Sequence, residues 1–290
     1  MYKTDRRKRH GAAEPNRRLR NGCRVGIAHL RAVCESVLVS IAHPTVLIPG
    51  LFSLLWLTAA FAADQPNVAV LLRSADAPRQ TFLHSVVRVR ATVEQPEQPP
   101  QTGEFDLYLG NDDQQLVVFR DKKNKGRKFL MVGDKAWLIV PGSKHPIPVT
   151  ASQRMMGASS FADMARVRLA SDYTGTLQPG MEPCGEPAQP CRVVEIKAAA
   201  KSAPYASGML WIDGAGLLRK AIYRLASGKP AKEIVYRYKE DTAGEMIPAG
   251  LTLTDLLLPD QAGRTTLDYL DRRAAELPAS MFDPQRQVTR

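Results

Sequence analysis

The stretch Gly208–Lys239, GMLWIDGAGLLRKAIYRLASGKPAKEIVYRYK, decides the fold. Gly208 to Ile212 is a short apolar run that stops at the turn-forming cluster Asp213-Gly214-Ala215-Gly216. Leu217–Leu225 and Glu233–Lys239 then flank a second turn, Ser227-Gly228-Lys229-Pro230. Strand, turn, strand, turn, strand predicts an antiparallel meander.

The same rhythm extends both ways. Arg192–Ala198 sets Val194 and Ile196 against Glu195 and Lys197. Gly250–Leu258 and Thr265–Asp271 add two more strands, and Leu277–Phe282 is expected to close the chain over an edge. Toward the N-terminus, Val87, Val89, Ala91 and Val93 alternate in Phe82–Val93, and Phe105, Leu107 and Leu109 do so after a Pro/Gln loop. Gln115–Arg120 follows, Phe129–Val132 and Ala136–Val140 flank the tight Gly133-Asp134 turn, and His145–Thr150 is a further short extended piece. Trp137 to Val140 is apolar on both faces, which predicts a strand covered on both sides. Asn67–Asp76 reads as a short helix capped by Asn67 and ended by Pro78. About ten or eleven strands and two helices are expected, mainly β, in a strongly curved antiparallel sheet or half-open barrel.

One stretch breaks the rhythm. Arg154–Tyr173, RMMGASSFADMARVRLASDY, has a capping-box pair in Ser160 and Asp163, then Phe161, Met164 and Val167 at helical spacing. Met155 and Met156 precede it. It is expected to be helical. Two readings stand: a movable apolar cover laid across the sheet, or a helix packed permanently on its core.

Charge and export signals divide the chain. The net charge is +11, but residues 1–62 carry 10 Lys/Arg against 3 Asp/Glu, which leaves 30 against 26 in the remainder. The basicity belongs to the N-terminus and does not predict nucleic-acid binding by the folded part. A basic run from Lys3 to Arg31 precedes the apolar Val46–Leu57 and the small-residue site Ala60-Phe61-Ala62, an A-x-A pattern that predicts cleavage after Ala62. Alternatively, the uncharged stretch from Ser36 to Ala63 stays as an inner-membrane anchor. Both readings export residues 63–290, read as one β domain, and place it in the periplasm.

Cys23 and Cys34 lie in the leader, and only Cys184 and Cys191 follow it, in CGEPAQPC. Two cysteines closing a short loop in an oxidising compartment predict a disulfide. Nucleophile-elbow, zincin, phosphate-loop and dinucleotide motifs are absent from the sequence, and His84 and His145 have no partner at metal-ligand spacing. The reading is therefore not an enzyme, with no cofactor and no metal. The basic turn Lys122, Lys123, Lys125, Arg127, Lys128 is either a solvated hairpin tip or a contact for anionic headgroups.

Several stretches resemble the LolA-like outer-membrane lipoprotein-sorting proteins. They are MVGDKAWLIVPGSKHPIPVT at 131–150, SSFADMARVRLASDY at 159–173, SGMLWIDGAGLLRKAIYRLASGKPAKEIVYRYKE at 207–240, GEMIPAGLTLTD at 244–255 and LPASMFDP at 277–284. CGEPAQPC and the Pro/Gln loop look like insertions relative to that pattern. The resemblance implies a half-barrel with a lid of helices over an apolar cavity that carries the acyl chains of lipoproteins or lipids toward the outer membrane. It implies a lid of Met155, Met156, Phe161 and Met164 and a wall drawing on Trp137, Ile139, Leu210 and Trp211. The carrier would act as a monomer, with an inner-membrane exporter or transporter as a partner. The alternative is an interaction or sensor module on the same fold, binding an inner-membrane partner or serving a lipid exporter.

Overall fold

A computed structural model of the chain describes residues 67–290, apart from 112, 123, 151–153, 161–162, 164–166, 259–262 and 289–290. The leader, its cleavage site, Cys23, Cys34, Phe161 and Met164 lie outside the described residues.

The chain opens with α1 (Val68–Gln80), whose Asn67 cap accepts a hydrogen bond from the Ala69 amide at 2.9 Å. Leu71, Leu72 and Ala75 form its buried face. Pro78 does not end the helix as expected; it sits in the last turn. There a missing N–H costs a single intrahelical bond, and the Thr81 hydroxyl donates to the Pro78 carbonyl at 2.7 Å.

Six strands follow: β1 (Ser85–Glu94), β2 (Gln101–Leu109), β3 (Gln114–Phe119), β4 (Lys128–Val132), β5 (Lys135–Ile139) and β6 (Ile147–Val149). A small hairpin, β7 (Arg154–Met156) and β8 (Ser159–Ser160), and a one-turn helix α2 (Leu169–Asp172) separate them from the second run. That run is β9 (Tyr173–Cys184), β10 (Gln189–Ala198), β11 (Ser207–Asp213), β12 (Leu218–Arg224), β13 (Pro230–Glu240), β14 (Met246–Asp255) and β15 (Arg264–Ala274). Two 3₁₀ turns, Ala279–Phe282 and Pro284–Gln287, end the chain.

Thirteen strands form one antiparallel sheet in the order β6-β5-β4-β3-β2-β1-β15-β14-β13-β12-β11-β10-β9. The expected single meander is thus two meanders, joined where β1 pairs with β15. β6 and β9 are the free edges, so the sheet is not closed. It is strongly curled: Gln115 of β3 and Leu218 of β12 line the same cavity, although six strand spacings, roughly 29 Å on a flat sheet, separate them. Register shifts in β1, β10, β11, β12 and β13 supply local bends.

Alternation then sorts the side chains. The inward row Val87, Val89 and Ala91 of β1, with Phe105 of β2, Phe119 of β3 and Phe129 of β4, joins Val194, Ile196, Leu210, Ile234, Leu253 and Leu267 in one core around α1. Phe105, Phe119 and Phe129 meet in sequence at ring separations of 5.9 and 5.8 Å. Two smaller clusters sit on the outward face. Leu116, Leu130 and Ile139, with Trp137, are covered by Leu277, Met281 and Phe282 of the C-terminal turn. The tail therefore covers a face and not an edge, and β5 is apolar on both sides because Leu138 packs inward while Trp137 packs outward. The second outward cluster gathers Trp211, Met209, Val193 and the Cys184–Cys191 disulfide, which bridges the far end of the β9–β10 hairpin at a Cα separation of 5.9 Å.

Candidate functional site

The link from edge β6 to edge β9 crosses the inward face; its first part departs from the helix expected over Arg154–Tyr173, whereas Asp163 and Leu169–Asp172 are helical. Its first part is the β7–β8 hairpin, turning at Gly157 with φ +55°, a conformation that interrupts a helix. Gly157 is pressed against Thr265 and Val93, where a β-carbon would collide. The next residue, Ala158, is fully buried and its amide donates to the Thr265 hydroxyl at 2.8 Å.

The Ser160–Asp163 capping pair forms as the spacing predicts. The Asp163 carboxylate accepts from the Ser160 amide at 2.7 Å and from its hydroxyl at 2.8 Å, and the Asp163 amide donates back to Ser160 Oγ at 3.4 Å. The same carboxylate also accepts a short hydrogen bond from the Tyr205 hydroxyl. Burial, and next the charge of Asp163, push that hydroxyl far above its ordinary pKa, so Tyr205 remains a proton donor.

Beneath the hairpin lies Lys232. It belongs to the inward series of β13 with Ile234, and Asp255 belongs to the inward series of β14 with Leu251 and Leu253. Lys232 donates to the Ala158 carbonyl and to Asp255 at 3.3 Å, and its ammonium is 4.0 Å from Asp163. Asp255 also accepts from the Leu257 and Leu258 amides at 2.9 and 3.1 Å. Burial alone pushes the Asp255 carboxyl up, but the Leu258 amide, the Lys232 ammonium and the Leu257 amide outweigh it and leave it below its ordinary value. The covering segment is thus fastened to the sheet by buried polar contacts. A third fastening comes from α1, whose Asp76 accepts from the Ala170 amide at 2.8 Å, at the start of α2.

Between cover, α1 and sheet is a cavity of about 100 Å³. Its apolar walls come from Val87, Leu107, Leu109, Leu218 and Leu251, with Val167 and Leu169 from the covering segment. Its polar lining includes Arg79, Asp76, Asp163, Arg168, Tyr223 and Tyr236.

The four wall residues expected at the site are not gathered there, and Phe161 and Met164 lie outside the described residues. Met155 and Met156 lie on β7, at the start of the covering segment. Leu210 packs in the inward core. Trp137 and Ile139 face outward under Phe282, and Trp211 faces outward beside the disulfide, its indole donating to Glu182 at 2.8 Å. The division follows from strand geometry: Leu210 and Trp211 are neighbours in one strand and cannot share a face. The expectation that these four residues form one wall is corrected accordingly. Missed from sequence were Arg79 and the tyrosines of β12, β13 and β15; the spacing Tyr236-x-Tyr238 was the available signal for two of them.

Among the described residues, no group of three or more His, Cys, Asp or Glu is placed to hold a metal ion. No helix among them is long and apolar enough to cross a membrane.

A protein-family model described as a "-like: Uncharacterized protein" family matches residues 111–287. No curated protein matches the chain. Among solved structures, the chain is similar to a LolA superfamily protein from Nitrosomonas europaea at 24% identity and a TM-score of 0.63, covering 74% of this chain and 96% of that one. It is similar to a putative outer membrane lipoprotein-sorting protein domain from Vibrio parahaemolyticus at 16% identity and a TM-score of 0.61, covering 76% and 99%. A DUF1329 family protein from Desulfovibrio piger aligns at 19% identity and a TM-score of 0.61, covering 74% and 97%. With a family match over more than half its length, the chain belongs to that protein family, and its open, curled sheet with the crossing segment is a LolA-like fold.

Proposed function

We propose that the protein is a non-enzymatic periplasmic carrier that shelters the acyl chains of a lipoprotein or lipid on their way to the outer membrane. The observation that carries this reading is an apolar-walled cavity closed by a segment that polar contacts fasten to the sheet. Burying an acyl chain gains ~0.8 kcal/mol per methylene, so a long chain supplies on the order of 10 kcal/mol before ordering costs. No covalent step is needed. The cavity of about 100 Å³ is smaller than the roughly 300–1,000 Å³ of typical ligand sites, so loading requires the cover to move.

In this reading the cover includes Met155, Met156, Phe161 and Met164, the leader is removed after Ala62, and delivery engages a membrane partner. The test is native mass spectrometry of the exported protein after mild extraction, followed by uptake of labelled lipid. Bound lipid is expected. A consistently empty protein that takes up none would overturn the reading. Phe161→Asp should abolish uptake while the thermal transition stays in place.

A further inference from the structure

We infer that the cavity is built for a single-chain amphiphile with a compact anionic oxygen head, bound head-inward against Tyr223, Arg79 and Arg168. The inference deepens the carrier reading and rests on it.

Tyr223 is fully buried and its hydroxyl has no hydrogen-bond partner among the described residues. Tyr236 acts on it electrostatically and as a side-chain hydrogen-bonding neighbour, though no hydrogen bond of normal geometry joins them. A buried hydroxyl without a partner costs roughly 1–3 kcal/mol, a penalty that phenylalanine at the same place would avoid. Gly208 makes room for this ring, since a β-carbon there would lie 3.2 Å from it, and Tyr205 stacks on it at 4.8 Å. Burial, then Tyr236, raises the Tyr223 pKa well above its ordinary value, so it offers an O–H.

A second unsatisfied donor lines the same cavity. Arg168 Nε is buried without a hydrogen-bond partner among the described residues; it is ion-paired with Asp172 Oδ2 at 3.8 Å, beyond hydrogen-bonding distance. Arg79, in the last turn of α1, bonds Asp76 at 2.9 Å through one of its five guanidinium donors. The lining carboxylates do not absorb this surplus. Asp76 is held by Arg79 and the Ala170 amide, and Asp163 by Ser160 and Tyr205. A cavity with apolar walls and unmet donors is complemented by an apolar chain ending in acceptors, and an anionic head matches guanidinium best. A carboxylate and a phosphate monoester share this chemistry.

The exported protein would be loaded with parinaric acid and the probe displaced with hexadecanoate, a sixteen-carbon lysophosphatidate, or hexadecanol. One or both anions should displace it at concentrations about tenfold below the alcohol, and whichever is tighter names the head. Tyr223→Phe and Arg79→Gln should each weaken the preferred anion by about five- to tenfold and leave hexadecanol within about twofold. Thermal unfolding of Tyr223→Phe should be unchanged or raised, because an unpaired hydroxyl is removed. Equal affinity for anions and alcohol, unmoved by either substitution, would overturn the head-group assignment and leave the carrier reading standing. Failure of every chain to bind would overturn both.

Discussion

Lys232 on β13 and Asp255 on β14 face each other across the strand pair, ammonium to carboxylate 3.3 Å, and both are buried. The same ammonium reaches the Ala158 carbonyl, so one cation ties the cover to the sheet. Lys232→Met should leave two buried carboxylates without their cation and lower stability by roughly 3–5 kcal/mol, read from chemical denaturation. Amide exchange around Ala158 should accelerate. A Lys232→Met protein with wild-type stability and exchange would show that the pair does not hold the cover.

Asp255 gives this fastening a pH dependence. Its folded-state carboxyl lies below the ordinary value of 3.8. A depressed pKa contributes stability that is fully present above the unfolded value and is lost as pH falls through the folded one. Denaturation midpoints between about pH 5 and about pH 2 should therefore fall more steeply for the wild type than for Asp255→Asn. Parallel curves would remove Asp255 from the account.

Gly157 sets how closely the cover approaches. Gly157→Ala combines a positive φ with a collision against Thr265 and Val93, and should cost about 1–3 kcal/mol. Gly142→Ala is the control, because φ there is +79° but nothing lies within 4 Å of the added carbon. The excess of the first cost over the second, read from thermal unfolding, measures the contact alone. Faster lipid uptake should accompany it.

The disulfide sits on the outward face, away from the cavity. Replacing Cys184 and Cys191 by serine should lower stability by about 2–3 kcal/mol, the range for so short a loop, and change the fluorescence of the neighbouring Trp211. Lipid uptake should be unaffected. Loss of uptake would place the disulfide in the carrier mechanism.

Much of the fold was legible because alternation and turn chemistry are local. Val87, Val89 and Ala91, or Val194 and Ile196, are buried as their period-two spacing requires, and the Gly133 and Gly216 turns lie where glycine punctuates the sequence. The Ser160–Asp163 pair was legible for the same reason. The pairing of β1 with β15 was not, since contacts between the first and last strands of a sheet leave no mark at short range. Within the site, a choice made by apolarity put Trp211 beside Leu210, where alternation forbids it. Lys232 was passed over because a charged residue reads as exposed, and only its partners Asp255 and Ala158 explain its burial.

The route taken by the crossing segment has a mechanical consequence. It joins β6 to β9, the two free edges of the sheet, while β1 and β15 are paired between them. The segment therefore tethers one lip of the curl to the other, and the length of a single piece of chain limits how far the two edges can part.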